Sequence, residues 1–571
     1  MNLRDDHRQF INSADASHYR QWGAWSDEIL YDMLAQHALL HPQREAIVDP
    51  PNTQVLFDLT PKRLSWQALK QSIDQITWEL HNRHIGPGDI VITQLGNTWA
   101  TVACLFAITR LGAIVSPLSL QSRKSELQHA VGLLRPRAFL AAEHYGGFNP
   151  VEYFRLSFPD FSGQIISLSD LLACIDCNEP VDNSKLISIG HWADADDLAT
   201  ICWTSGTEGS PKAVPRSHNN WRASAIGVSD GFLMTQEPER IMLPFPLINT
   251  AAIGGVTMPW LYNGGTLVLH HPFNIDIFAQ QIVDEQITTT LASPTALQAM
   301  LASPIIRAAG DGLALRAVGC GSAAPSEALL SHYEQVLGIH IHNMFGANEG
   351  TLLCCDRTLV PDAKRRATHF PRVGYSDELW PNRAANWLKS KLIDPDSGEE
   401  ITQPGTPGML TVKGPSLFPG YYTATGIDRS AFTQDGFFMT GDIFEIDSDT
   451  HGPRLLKVIG RKKEIVIRGG FNISPLEVDS ALAELPGAVE LATAGVVDDK
   501  YGERLCLYVV VAPDQQLSLA NVQAYLQAVG LAKTKWPERL VIVASLPRNT
   551  LNKIIRSALH TVPVIAEEQR Y

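Results

Sequence analysis

The sequence predicts an α/β protein in which a large, mostly parallel sheet region is followed by a β region and a small α+β unit. Three observations carry that expectation. Apolar runs of strand length alternate with helix-period segments on both sides of residues 204–212, as in successive βαβ units. From Leu392 the texture changes to glycines, prolines and short alternating segments, which read as a compact β region. Near Gly460 strands and helices resume over a last, short unit.

Each element has its own signal. Ser65 can cap a helix whose Leu69, Ile73, Ile76 and Leu80 fall on one face. Gly86-Pro87-Gly88-Asp89 turns the chain into a strand at 90–92; a helix from about Trp99 leads to a strand at 112–115 and a helix at 125–134. The apolar run 199–203 reads as a strand feeding a loop. After that loop come a helix near 278–285, a strand at 288–291 and a helix at 295–301. Residues 408–413 alternate as a strand. The last unit has strands at 465–467 and 505–511 and helices near 475–484 and 520–529. Residues 355–386 carry many charges and prolines without periodicity and read as a long loop; no internal repeat or low-complexity tract is visible.

The totals narrow the function. A chain of 571 residues can bury a large core and suggests more than one domain. Its formal net charge of −14 argues against a general nucleic-acid or membrane-surface binder, so an anionic ligand needs locally arranged positive groups. The eight cysteines are thinly spread, which suits reduced thiols in a cytoplasmic protein. Cys174-x-x-Cys177 has no second pair at zinc-ribbon spacing and reads as a loop coincidence. The polar, acidic start shows no signal peptide, and the apolar runs are too short to span a bilayer.

The stretch with the most chemistry is Thr204-Ser205-Gly206-Thr207-Glu208-Gly209-Ser210-Pro211-Lys212. Glycines let a backbone approach a ligand closely, hydroxyls donate hydrogen bonds, and Lys212 adds a mobile point charge. Such a loop can surround phosphate oxygens, although it does not fit G-x-x-x-x-G-K-[ST], and Ala213 stands where the magnesium-binding hydroxyl belongs. Other candidates are plain when taken singly. Glu349 after a glycine reads as a solvated carboxylate, Asp442 as a turn residue, and Gly319-Cys320-Gly321-Ser322 as a strand-end turn. Arg461-Lys462-Lys463 reads as a solvated face, and His340 and His342 as packed histidines.

Taken together, the stretches resemble the adenylate-forming superfamily of acyl-CoA synthetases, luciferases and peptide-synthetase adenylation domains. Residues 204–212 with Ala213-Val214 and Ser217-His218 resemble its phosphate loop. Met344-Phe345-Gly346-Ala347-Asn348-Glu349 resembles Y-G-x-T-E, with Asn348 in place of threonine; Gly436-Phe437-Phe438-Met439-Thr440-Gly441-Asp442 resembles G-x-x-x-T-G-D. Gly460-Arg461-Lys462-Lys463-Glu464 and Gly469-Gly470-Phe471-Asn472-Ile473-Ser474-Pro475 resemble the segment joining two domains. Pro547-Arg548-Asn549-Thr550-Leu551-Asn552-Lys553-Ile554 resembles P-R-x-x-x-G-K-I, with Asn552 in place of glycine. The likeness runs from about Leu30 to about Leu559.

The resemblance implies a large N-terminal domain (1–462) of parallel-type αβαβα sheets plus a β region, and a small mobile α+β C-terminal domain (463–571). Lys463 would be the hinge. It implies nucleotide contacts from Thr204, Ser205, Gly206, Thr207, Gly209, Lys212, Gly321, Ser322, Phe345 (against adenine), Gly346, Asn348, Asp442 (on the ribose hydroxyls), Arg461 and Lys553. Glu349 would hold Mg²⁺; Lys553, Glu349 and Lys212 would be the catalytic set. Asn249, Thr250, Gly319, Cys320 and Ala347 would line the acyl pocket. The implied substrates are ATP, a carboxylic acid and coenzyme A, or the phosphopantetheine of a carrier protein. Residues 243–252 contain no acid to hold an amino group, and small neighbours such as Ala251, Gly254 and Gly255 leave room for an apolar group, so the expected acid is aliphatic or cyclic. The chain carries no D-S-L carrier motif, so a carrier protein would act in trans. The rival expectation, prompted by Asn348, Asn552 and a missing histidine near Asn249, is a nucleotide-binding protein without turnover.

Overall fold

A computed structural model describes residues 8, 10, 11, 13–175, 181, 192–204, 210–232, 234, 238–321, 324–376, 379–449, 452–468, 471–498, 502–549 and 553–569. Two eight-stranded sheets, a six-stranded antiparallel sheet and a C-terminal sheet make up the fold. The first large sheet runs Leu352–Cys355, His340–Gly346, Ala317–Cys320, Thr289–Ala292, Arg240–Leu243, Thr266–Leu269, Glu45–Val48, Arg63–Ser65. It is parallel except at its two edges, where the outer strands pair antiparallel. The second has a parallel half, Leu198–Trp203, Ile114–Pro117, Ile90–Gln94, Ala138–Ala141 and Gln164–Ser167, extended by three antiparallel strands that begin with Ala213–Ser217.

Helices fill the space between these sheets and cover their outer faces. Trp99–Arg110 is buried on all sides down to Thr109, as an all-apolar helix must be, and it packs with Trp66–Asn82 between strands of both sheets. Ser65 caps Trp66–Asn82 by accepting from the Ala68 N–H, and Leu69, Ile73, Ile76 and Leu80 are buried as the periodicity requires. Ile275–Asp284 and Pro294–Ala302 cover the outer face of the first sheet, and Lys124–Leu134 and Pro150–Ser157 that of the second. The layer order is therefore α/β/α/β/α.

The six-stranded sheet, His369–Pro371, Gly452–Arg461, Phe438–Asp449, Pro407–Lys413, Lys389–Ile393 and Glu400–Ile401, is the expected β region. One expectation is corrected. Residues 355–386 are not a featureless loop: they contribute the strand His369–Pro371 and the helices Ala363–Arg366 and Arg383–Trp387. Their charges have partners far along the chain. Arg366 is fully buried and pairs with Glu334, and Arg365 and His369 both reach Asp447. The strand Gly452–Arg461 closes this region, and the next strand, Val466–Arg468, belongs to the C-terminal sheet. That sheet carries Pro475–Ala481 and Leu519–Ala528 over its own apolar core.

Candidate active site

The loop at 204–212 is the connection of a β-hairpin, not of a strand and a helix. Leu198–Trp203 and Ala213–Ser217 pair antiparallel, and two hydrogen bonds tie the loop's neck: Thr204 N–H to the Lys212 carbonyl at 3.0 Å and Lys212 N–H to Thr204 Oγ1 at 2.9 Å. The helix His218–Gly231 follows, with Ser217 as its cap. Ser205, Gly206, Thr207, Gly209 and Ser322 lie outside the described residues.

Thr204 and Lys212 open onto a cavity of about 520 Å³ whose lining is drawn from Thr204 to Lys553. Asn249, Thr250, Gly321, Gly346, Ala347, Asn348, Glu349, Asp442, Arg461, Lys463 and Lys553 share its wall. The strand His340–Gly346 delivers the tight turn that carries Glu349. Gly350 sits there at φ +100°, and an added Cβ would lie 2.0 Å from the Ser416 carbonyl oxygen, so only glycine fits. Glu349 Oε1 accepts from the Tyr421 hydroxyl at 2.7 Å, while Oε2 has no partner among the described residues. A single hard oxygen donor facing a cavity suits Mg²⁺ that arrives with nucleotide phosphates. Among the described residues no cluster of three His, Cys, Asp or Glu could hold an ion unaided.

Asp442 and Arg461 are register partners on adjacent antiparallel strands, and Arg461 Nε lies 3.4 Å from Asp442 Oδ1. Burial pushes the Asp442 carboxyl up to about 6, against the opposing pull of Arg461 and Lys553. Lys553 comes from the C-terminal unit, where Asn549 Oδ1 accepts from the Lys553 N–H at 3.0 Å. Its ammonium is held below the usual lysine range, first by burial and then by Arg461. Two acids and several cations thus meet in one wall of the cavity.

Asn348 is a brace. Its Oδ1 accepts from the Thr250 N–H at 2.8 Å and its Nδ2 donates to the Trp203 carbonyl at 2.7 Å, tying the strand before the loop to the segment around Thr250. Asn249 likewise turns inward and accepts from the Ala251 and Ala252 N–H groups.

Three expectations about position are corrected. Cys320 is fully buried in the outer apolar core with Val318, Leu330 and Ile341, because alternate strand residues face opposite sides of the sheet. Gly319 faces the inner side but does not line the cavity; its missing side chain is the space taken by Leu291, Phe232 and Met344. Phe345 packs its ring on Phe444 and Phe370 in the β region, at 5.3 and 6.1 Å between centroids, and is not part of the wall. His342 is buried and edge-on to Phe232, held neutral by burial that moves it to about 4.

Sequence reasoning missed several wall residues. Tyr421 both holds Glu349 and places its ring 4.4 Å from Lys212 Nζ. Ser224, Val228, Phe245, Leu291, Met344 and Leu352 also line the cavity. Gly254 and Gly255 are there too, but they do not open the space: an added Cβ would lie 2.9 Å from the Trp221 ring at Gly254 and 2.6 Å from Leu291 at Gly255. Small residues here serve close packing. No local signal marks any of these positions.

The chain belongs to the family of AMP-binding enzymes: the family model matches residues 34–422, and the AMP-binding enzyme C-terminal domain matches residues 477–553. It is 27% identical over 556 residues to the medium-chain fatty-acid–CoA ligase of Escherichia coli K12, covering 95% of this chain and 92% of that protein. It is 30% identical over 552 residues to pyochelin synthase PchD of Pseudomonas aeruginosa, covering 95% and 93%. In fold it is similar to ATP-bound MatB from Rhodopseudomonas palustris, with a TM-score of 0.75, 23% identity, and 92% and 98% of the two chains covered.

Proposed function

We propose that this chain is an AMP-forming acid–thiol ligase that converts a carboxylic acid and ATP to acyl-AMP and pyrophosphate, then transfers the acyl group to coenzyme A. The observation that carries this reading is the meeting of Glu349, Asp442 and Lys553, from three separate regions, in one wall beside the neck of the 204–212 loop. The geometry supports nucleotide roles for that set, and the relatives' names support acyl transfer to a thiol.

A carboxylate must be activated before a thiol can attack it. Its oxygen forms a bond to the α-phosphorus of ATP while the bond to pyrophosphate breaks, a step that depends on positioning and charge neutralisation. Mg²⁺ held by Glu349 supplies neutralisation at the leaving phosphates when bound. Lys212 and the loop backbone bind those phosphates, Asp442 orients the ribose, and Lys553 places positive charge between acid and α-phosphate where negative charge builds. Rotation about Lys463, between the sheets that end at Arg461 and begin at Val466, then withdraws Lys553 and admits the pantetheine thiol. An aliphatic or cyclic acid suits the apolar end formed by Val228, Phe245, Leu291, Met344 and Leu352. No helix among the described residues is long and apolar enough to cross a membrane, which suits a cytoplasmic enzyme.

Acid-dependent exchange of labelled pyrophosphate into ATP, run across a panel of aliphatic, alicyclic and aromatic acids, tests the reading. Exchange with at least one acid, followed by thioester formation when coenzyme A is added, is expected. ATP binding without exchange for any acid would return the rival, a nucleotide-binding protein without turnover. Thioester formed only with a phosphopantetheinylated carrier protein would change the acceptor and leave the adenylation intact.

A further inference from the structure

Beneath the cavity floor lies Arg216, a fully buried arginine that no part of the mechanism above uses. It is the penultimate residue of the strand Ala213–Ser217 and stacks on Trp221 with its guanidinium carbon 3.7 Å from the ring centroid. Nη2 donates to three oxygens: the Asn220 carbonyl at 3.0 Å, Ser224 Oγ at 2.5 Å and the Ser416 carbonyl at 2.9 Å. Nη1 reaches Thr250 Oγ1 at 3.5 Å. No carboxylate hydrogen-bonds to it among the described residues, and Nε has no partner. Burying a charge among neutral acceptors is costly, so an arginine retained there needs a reason beyond stability.

The Ser416 contact supplies one. Ser416 Oγ donates to the Gly350 carbonyl at 2.8 Å, and Phe418 N–H donates to the Glu349 carbonyl at 2.8 Å. Gly350 is pressed against the Ser416 carbonyl, so the two loops are in register with no slack. Asn220 Nδ2 and Trp25 Nε1 both donate to the Pro415 carbonyl, fixing the same loop from behind. The carboxylate whose charge Arg216 feels is Glu349, and burial moves the guanidinium down to about 9.

We propose that Arg216 is a positioning residue for adenylation: through the Ser416 loop it sets Glu349 for Mg²⁺, and through Ser224 and Thr250 it sets the acyl end of the same cavity. This rests on the reading of Glu349 as the magnesium ligand. The residue touches neither reacting group; it couples the two ends of the cavity through one guanidinium fork, which lysine's single point charge cannot span.

The experiment compares Arg216→Met, Arg216→Lys, Ser416→Ala and Glu349→Gln with the parent chain. Mn²⁺ binding in the presence of ATP, with acid omitted, is followed by electron paramagnetic resonance, alongside melting temperature and acid KM in pyrophosphate exchange. Removing an outer partner of a metal ligand typically weakens metal binding about tenfold or more. Arg216→Met should weaken Mn²⁺ by about that factor and raise acid KM as well, with Arg216→Lys between it and the parent. Ser416→Ala, which cuts only the Gly350 tie, should weaken Mn²⁺ while leaving acid KM unchanged; Arg216→Lys decides the role of the guanidinium if Arg216→Met fails to fold. Parent-like Mn²⁺ affinity in Ser416→Ala and in any folded Arg216 variant, with Glu349→Gln impaired, overturns the positioning role alone. Parent-like affinity in Glu349→Gln as well overturns the magnesium assignment and this proposal with it.

Discussion

The two ends of the cavity are built on different principles. At the end we propose for the nucleotide, Glu349, Asp442, Arg461, Lys212 and Lys553 each bring one ionic group to a shared space from separate elements. At the end we propose for the acyl group, Ser224, Val228, Leu291, Met344 and Leu352 offer shape, and Gly254 and Gly255 are small because Trp221 and Leu291 already occupy the adjoining volume. Charge keeps its meaning wherever it is brought, whereas a small residue means space or close packing according to its neighbours. Substitutions at the first end should therefore damage a step, and at the second end a preference.

The largest effect is expected for Lys553→Ala. Losing one preorganised positive group where charge develops should lower pyrophosphate exchange by roughly 10²–10³, with thioester formation from supplied acyl-AMP largely kept; equal loss of both half-reactions would remove the distinction. Glu349→Gln should follow, cutting adenylation by about 10–10² and raising the magnesium needed, since an amide brings no charge to a hard cation. Normal exchange at low magnesium would show that Glu349 is not the ligand.

The acyl end should respond differently. Gly254→Ala puts a methyl group against Trp221 and Thr250, a misfit of about 1–3 kcal/mol, so acid KM should rise while ATP KM stays put. A parallel rise in both would join the two ends into one unit.

The smallest effect is a pH dependence. The ribose role proposed for Asp442 needs an ionised carboxylate, and burial pushes this carboxyl up to about 6 in the free protein. ATP affinity should then fall about tenfold between pH 7 and pH 5, and Asp442→Asn should bind ATP weakly with a flat profile. Stability has the opposite sign. A carboxyl raised on folding favours the folded state most below its unfolded value, and that contribution is lost as pH rises through about 6. The free protein should gain stability from Asp442 on mild acidification while it loses affinity for ATP, and calorimetry at the two pH values separates the trends.

How much could be read in the chain follows the same division. Alternating apolar runs marked the parallel strands and their helices, since burial on one face imposes a period on local sequence, as in Trp66–Asn82. Residues 355–386 defeated that reading because Arg365, Arg366 and His369 are satisfied by Asp447 and Glu334, partners no local window contains. Ionic wall residues stood in recognisable stretches. Cys320 was misplaced because a strand turns neighbouring residues to opposite faces, and Arg216 and Tyr421 went unnoticed because their value lies in contacts with Ser416 and Glu349.

In the function proposed above, one cavity serves two half-reactions as the C-terminal unit turns about Lys463. Proline fixes φ near −65° and removes a donor, so it should freeze a hinge in one of its two arrangements. The most direct measurement takes Lys463→Pro and follows acid-dependent pyrophosphate exchange and thioester production on one preparation, beside its melting curve. Exchange close to that of the parent chain, sharply reduced thioester production and an unchanged melting temperature are expected. Parallel loss of both activities, or loss of neither, would contradict it.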